Sequence, residues 1–406
     1  MSSATRRVWV RGAGAISPLG ETWPDTRAAL AEGATAVAPV TRFDATGFPS
    51  TVAAAIPREF PGVEDRRLAL ASIAAREAWR TSGYFNGSAE PRRTGVFVGA
   101  ESGRASPAKI LAMAKAAGGG KTFDHVAFGR DARALAPYVD AAAVSPAAVA
   151  SALAGEIGAI GPARTLSLAC SSGLAAIIEG MRAIRLGTID VALCGGVGAD
   201  VDPLMLAGFG KLSALSAKGI SCPFDLRRDG FVVGEGAAFI VLSADRGSAI
   251  AELAGSARTL DAHHLTAPDP EGDGAARAMA GALADAGVTA VDYVQAHGTS
   301  TPLNDAIEAM ALRRVLGASL ASAHVGGVKG ALGHWVAGAG AIGFLCALEA
   351  VEHGVCLPTA GLTQPDPACD LPHVMGRAIT ADVRAALVNA FAFGGSNACA
   401  VLRRAP

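Results

Sequence analysis

Three side chains suited to nucleophilic and proton-donor chemistry, Cys170, His297 and His334, each sit at the end of an apolar run. Cys170 closes Thr165-Leu-Ser-Leu-Ala-Cys170 and is followed by Ser171, Ser172 and Gly173 and then by a helical pattern. A thiol at such a strand-to-helix turn lies near the positive end of the helix dipole, which favours thiolate, and the small residues leave room for a ligand. A lone buried cysteine is ordinarily structural, so Cys170 gains meaning only from its company. His297 ends Val291-Asp-Tyr-Val-Gln-Ala-His297 and leads into Gly-Thr299-Ser-Thr301-Pro-Leu-Asn-Asp305. His334 ends His324-Val-Gly-Gly-Val-Lys329-Gly-Ala-Leu-Gly-His334, with Lys329 five residues before it. A soft nucleophile and two imidazoles at strand ends match the place where open α/β sheets gather their sites. In Asn389-Ala-Phe-Ala-Phe393-Gly-Gly-Ser-Asn397 the glycines can present backbone N–H groups to a developing oxyanion.

The elements that must position these residues are short apolar runs bounded by Gly or Asp, at 8–10, 94–99, 165–169, 190–194, 237–242, 291–296, 324–328 and 397–402. Helical segments between them imply an α/β fold with largely parallel pairing. Thr94–Ala100 resembles Val291–His297, and Gly236–Leu242 resembles Asn397–Leu402, which points to a duplication with a boundary near residue 248. The halves are then 1–247, carrying the cysteine, and 248–406, carrying both histidines. Asp65 to Gly83 reads as an amphipathic helix with Leu68, Ala71, Ala75 and Trp79 on one face. Residues 101–150 interrupt the strand–helix rhythm and are expected to form a cap or a dimer contact.

With 406 residues, 51% of them hydrophobic and 17% charged, the chain has ample core material and no signature of disorder. A net charge of −1 provides no global field for nucleic acid or an anionic membrane. Met1–Arg7 lacks the apolar segment of a secretory signal, and the uncharged stretch 330–348 reads as a buried core helix. Seven cysteines without a CxxC pair or Cys/His ligand spacing argue against disulfides and a structural zinc, and fit a cytoplasmic protein.

These segments, in this order, resemble the elongation-type β-ketoacyl-acyl carrier protein synthases of the thiolase superfamily. Pro223-Phe-Asp-Leu-Arg-Arg-Asp-Gly-Phe-Val-Val-Gly-Glu-Gly-Ala237 matches the family's PFD, RDGFV and GEGA pattern, and Val8–Gly20, Arg42-Phe-Asp44 and Asp261–Thr266 match as well. The resemblance implies a thiolase fold, duplicated βαβαβαββ halves in a five-layered α-β-α-β-α core. It implies a homodimer, or a heterodimer with a related ketosynthase-like subunit, and substrates carried on the phosphopantetheine of acyl carrier protein, with no metal or other cofactor. It places Cys170 as the nucleophile, His297 and His334 as the decarboxylation pair, and Lys329 as the residue orienting the second histidine. Cys170 and Phe393 would supply the oxyanion hole, with Phe393 also gating the acyl pocket. Thr299 and Thr301 would contact pantetheine, and Arg66 and Arg67 would contribute to carrier-protein docking.

The chain departs from the family's commonest pattern at Leu332, at Ala337-Gly-Ala-Gly340 and at Gly343, where a glutamate commonly partners the lysine. Lys329 must then find another counter-charge, and the departures point to a discrete type II polyketide or polyene enzyme. A non-catalytic chain-length-factor subunit is the alternative reading, opposed by the retained Cys170, His297 and His334. A coenzyme A thiolase is opposed by the His297-Gly-Thr-Ser-Thr-Pro302 segment. Gly118-Gly-Gly-Lys121-Thr122 lacks the first glycine and the leading strand of a phosphate loop, and Gly12-Ala-Gly14 lacks the third glycine of a dinucleotide fingerprint.

Overall fold

The architecture comes from a computed structural model that describes residues 6–405 apart from 62, 64, 86, 105–106, 119–121 and 136–143. Ten strands form the main sheet: β1 (Trp9–Ile16), β2 (Thr94–Gly99), β3 (Ala163–Leu166), β4 (Val191–Ala199), β5 (Glu235–Ser243), β6 (Ala251–Leu260), β7 (Tyr293–Gln295), β8 (His324–Gly326), β9 (Ala385–Phe391) and β10 (Ser396–Arg404). Their spatial order is β8-β7-β9-β10-β6-β1-β5-β4-β2-β3. Numbered within each half, both sets of five follow the same order, third, second, fourth, fifth, first. The pairing senses match too: the second strand is parallel to the third and fourth, and the fifth is antiparallel to the fourth and first. Among the described residues β1 and β6 pair only at Trp9↔Glu252 and Val10↔Ala251, so the two five-stranded sheets diverge beyond that seam.

Central strands such as β5, buried along its whole length, read as near-continuous apolar runs because both faces are covered. On the first half, Val96 and Val98 face the outer helices α1 (Arg66–Thr81) and α2 (Ala147–Ile157). Phe97, one residue out of phase, faces the interior. There the helices α3 (Ser172–Arg185) and α6 (Ala339–His353) pack between the two half-sheets through Leu174, Ile177, Phe344 and Leu348. The outer face of the second half is covered by α4 (Asp273–Ala286) and α5 (Pro302–Leu316) through Met279, Leu283 and Leu312. The result is the expected five-layered thiolase arrangement. Val336–His353 is the one segment among the described residues long and apolar enough to cross a membrane, and 89% of it is buried, as the core-helix reading requires.

Helix α1 is capped by Asp65, whose carboxylate accepts the Arg67 N–H at 3.0 Å. Its buried stripe is Leu70, Ala71, Ala74, Ala75, Ala78 and Trp79, with Leu68 only half-buried. The Gly12-Ala-Gly14 pair serves this contact: a Cβ on Gly12 would lie 2.2 Å from the Ala78 carbonyl oxygen, and one on Gly14 2.3 Å from that of Ala74. Within 101–150 the described parts include two helices, Pro107–Ala116 and His125–Leu135, which interrupt the strand–helix alternation. Residues 119–121 of the Gly118–Thr122 segment lie outside the described residues.

Because the Gly14 contact is backbone on backbone, Gly14→Ala must force β1 and α1 apart. The expected loss is about 1–3 kcal/mol, read as a lower midpoint of urea unfolding with an unchanged slope; an unmoved midpoint would contradict the close-approach account.

Candidate active site

The C-terminal ends of the parallel strands converge on one cavity of about 370 Å³, lined among others by Cys170, His297, Thr299, Thr301, His334 and Phe393. β3 runs into a short turn, Ala169–Ser171, from which α3 departs, and Cys170 sits in that turn. Ala169 carries φ +48, an uncommon left-handed conformation for a non-glycine residue that turns the chain sharply before the thiol. His297 follows β7 by two residues, Lys329 follows β8, and Phe393 follows β9. The first half thus brings the thiol and the second half the imidazoles.

His297 and His334 are both buried, their ring centroids 5.8 Å apart and their planes nearly perpendicular. The Val336 N–H donates to His334 Nδ1 at 3.1 Å, so the neutral ring carries its proton on Nε2. The Lys329 ammonium lies 3.3 Å from His297 Nδ1 and also donates to the His297 carbonyl, which fixes the same tautomer on that ring; this corrects the expectation that Lys329 orients the second histidine, His334, whose Nδ1 is held by backbone instead. Burial, and then the Lys329 charge, hold both imidazoles well below their usual range. Two neutral rings with free Nε2–H donors therefore line one cavity.

Burial pushes the Cys170 thiol up to about 11, against the opposing pull of Lys329 and of the Phe393 N–H bonded to its sulfur. This corrects the expectation of a dipole-stabilised thiolate: removal from water outweighs the helix end. Cys170 and Phe393 both line the cavity. Thr299 and Thr301 share a hydroxyl–hydroxyl contact of 2.8 Å on the cavity wall.

The counter-charge that Lys329 requires comes from Glu308, a residue the sequence reading missed. Burial lowers the Lys329 ammonium to about 8, and Glu308 is the strongest influence holding it up. The buried Glu308 carboxylate accepts the N–H groups of His297 and Gly298, each at 2.8 Å, and the Asn389 amide at 3.0 Å. Three donors offset the desolvation that pushes its own pKa up. Asp305, one helical turn earlier, accepts the N–H groups of Thr299 and Ser300. A Cβ added at Gly343 would meet only ordinary contacts, 3.5 Å from Gln295 and 3.7 Å from Val388. The i, i+3 carboxylates just after the His297 turn were the signal available in the sequence.

Arg66 and Arg67 do not form a free docking face, and this corrects that expectation. The Arg66 guanidinium donates to the wholly buried Glu235 carboxylate at 2.8 and 3.0 Å, which Arg42 also holds. Arg67 is buried, donating to Asp65 at 2.7 Å and to the Glu101 carbonyl. Internal carboxylates and carbonyls outcompete solvent for both side chains.

The depressed histidines make a directional prediction. Their folded values lie below the ordinary 6.5, so the unfolded chain binds those protons first. Their contribution to stability is full above about pH 6.5 and is lost as pH falls below it. Nitrogen-15 histidine spectra are expected to show two Nε2–H tautomers that do not titrate between pH 8 and about 5; an imidazolium signal from either residue at pH 6 would contradict the site as described.

The same fold recurs in known proteins. Residues 5–246 match the family described as beta-ketoacyl synthase, N-terminal domain, and residues 250–363 match its C-terminal domain. The chain is 33% identical over 419 residues to the 3-oxoacyl-[acyl-carrier-protein] synthase 2 of Synechocystis, covering 97% of this chain and 96% of that protein. It is 34% identical over 426 residues to the tetracenomycin polyketide synthase ketoacyl synthase alpha subunit of Streptomyces glaucescens, covering 99% and 98%. Among solved structures it superposes on the ishigamide ketosynthase/chain length factor with a TM-score of 0.86, at 32% identity over 99% of this chain and all of that one. A type II polyketide acyl-carrier protein complex with its ketosynthase, bound to a hexaketide, gives 0.85 at 29% identity, again over 99% and 100%. With both halves, their topology and the convergence of Cys170, His297 and His334 accounted for, the chain belongs to the β-ketoacyl synthase family.

Proposed function

We propose that the chain catalyses decarboxylative Claisen condensation between an acyl group held on Cys170 and a malonyl group on acyl carrier protein. The convergence of one thiol and two neutral, Nε2-protonated imidazoles on a single cavity carries this reading. Attack of the Cys170 sulfur on an acyl-carrier thioester forms acyl-Cys170, and the thiol proton leaves with the carrier as its free thiol. The malonyl thioester then binds with its carbonyl oxygen facing His297 and His334. Loss of CO2 leaves an enolate, whose negative oxygen accepts both Nε2–H donors in a site removed from water. A neutral donor suits this step because it stabilises developing charge without surrendering its proton. The enolate carbon attacks the acyl-Cys170 carbonyl, and the N–H groups of Cys170 and Phe393 receive the oxyanion. Collapse expels Cys170 and leaves β-ketoacyl-carrier protein.

Lys329, held charged by Glu308, keeps His297 in register, and Thr299 and Thr301 on the cavity wall contact the pantetheine arm. Phe393 gates the acyl side. The reaction needs no metal or redox cofactor, since every step moves only electron pairs and protons between the named groups. The chain acts in the cytoplasm, within fatty-acid or type II polyketide biosynthesis. A discrete polyketide pathway is favoured by the departures at Leu332 and Gly343 and by the similarity to type II ketosynthases. A partner subunit, identical or ketosynthase-like, is favoured by the outer edge of β3, which has a neighbour on one side only, and by the buried Thr165 hydroxyl left without a hydrogen bond. The excursion within 101–150 would contribute to a cap or dimer contact.

Intact-mass spectrometry with a panel of acyl-carrier thioesters, followed by malonyl-carrier protein, tests the reading. The expected result is a single acyl adduct, absent from Cys170→Ala, that converts to β-ketoacyl-carrier product. His297→Ala and His334→Ala are expected to keep the adduct and to lose on the order of 100- to 1,000-fold in product formation. Absence of any adduct across the panel would point instead to a non-catalytic partner subunit.

A further inference from the structure

Beside the nucleophile stands a carboxylate that the proposed reaction does not use. Glu101 follows β2 by two residues, as His297 follows β7 in the duplicated half. Its Oε1 accepts the Ala169 N–H at 3.0 Å, and its Oε2 accepts the Ser167 hydroxyl at 2.6 Å. The Ser172 hydroxyl lies 3.3 Å from Oε1 but gives its proton to the Ala169 carbonyl at 2.6 Å. Glu101 thus holds the turn on the N-terminal side of Cys170. Ala169 is the residue whose left-handed φ of +48 aims the thiol. Such a conformation persists only where the surroundings over-determine it. Glu101 is itself tied down, because Arg67, fixed by Asp65, donates to its backbone carbonyl.

We propose that Glu101 is a positioning residue for Cys170, clamping the strained turn so that the sulfur faces the cavity, with Arg67 and Asp65 bracing it from helix α1. A simple activating role is opposed by its sign, since a carboxylate beside a thiol raises the thiol's pKa, and Glu101 acts on Cys170 in that direction. The gain from a carboxylate here is therefore geometric: its two oxygens accept one N–H and one hydroxyl of the turn at once. Its charge adds a smaller upward push on the Cys170 thiol, behind that of burial. This inference rests on the reading of Cys170 as the acyl acceptor.

The test compares Glu101→Ala and Glu101→Gln with the full-length wild-type protein in two measurements. In single-turnover acylation of Cys170 by an acyl-carrier thioester, Glu101→Ala is expected to be slower on the order of 10- to 100-fold. Glu101→Gln, whose amide oxygen still accepts the Ala169 N–H, is expected to recover most of that loss. In alkylation of Cys170 by iodoacetamide across pH, both variants are expected to titrate at lower pH than wild type, because the neighbouring negative charge is gone. Acylation at the wild-type rate in Glu101→Ala, or equal losses in both variants, would overturn the proposal. If Glu101→Ala fails to fold, Glu101→Asp, whose shorter side chain keeps the charge but withdraws its oxygens from the turn, takes its place, and acylation at the wild-type rate in that variant overturns the proposal. Failure of the wild-type protein to acylate would instead strike the reading of Cys170 and leave the clamp to be judged by the alkylation titration.

Discussion

A lysine ammonium sealed from water must be countered or it loses its proton, and the candidate site is organised around that requirement at Lys329. Glu308 supplies the counter-charge, and the same carboxylate holds the N–H groups of His297 and Gly298 and the amide of Asn389. One buried group thus fixes the charge of the lysine, the backbone after β7 and, through the lysine, the tautomer of His297. Desolvation would make either charge costly by itself. Burial first, and then the Lys329 charge, keep both imidazoles from taking up a proton, the state that the proposed enolate-stabilising step requires.

The duplicated topology explains how so few residues suffice. Each half repeats the same strand order and ends its parallel strands at the same edge. After the second strand stands Glu101 in one half and His297 in the other; after the third, Cys170 and Lys329; after the fourth, Asp200 and Phe393. The pseudo-symmetric positions have diverged into a thiol with its supporting carboxylate on one side and the donors on the other. The shared interior helices α3 and α6 hold these two sets of strand ends in one core. Asp200, paired with Arg104 at 2.9 Å and pushed up to about 6 by burial, acts on the Cys170 thiol in the same upward direction as Glu101.

Much of this was legible in the sequence because it depends on local pattern. Apolar runs broken by Gly and Asp mark eight of the ten main strands, and the duplication shows in the likeness of 94–100 to 291–297. β6 escaped notice because its solvent-facing end, Ser256 to Leu260, dilutes the apolar run with polar and charged residues. β9 was hidden by the Asn389 and Gly394 signals, which read as a turn. Cys170, His297 and His334 were identifiable from type and strand-end placement. Glu101 was not, since a glutamate is common on surfaces and its burial is decided by distant segments; Glu308 showed only in its i, i+3 spacing from Asp305 after the His297 turn. Arg66 and Arg67 failed for the converse reason: cations at a helix start look solvated until Glu235 and Asp65 are seen beside them. The protonated state of Cys170 was also beyond the sequence, because burial and a helix end act in opposite directions and only the packed structure weighs them.

The central claim is that the neutral histidine donors, arranged by the Lys329–Glu308 couple, drive loss of CO2. Rapid-quench measurement of CO2 release from malonyl-carrier protein by pre-acylated enzyme tests it most directly, comparing wild type with Lys329→Met. The account predicts that the variant still accepts the acyl group on Cys170 but releases CO2 slower by about 100-fold or more. Release at the wild-type rate with His297 still neutral would contradict it.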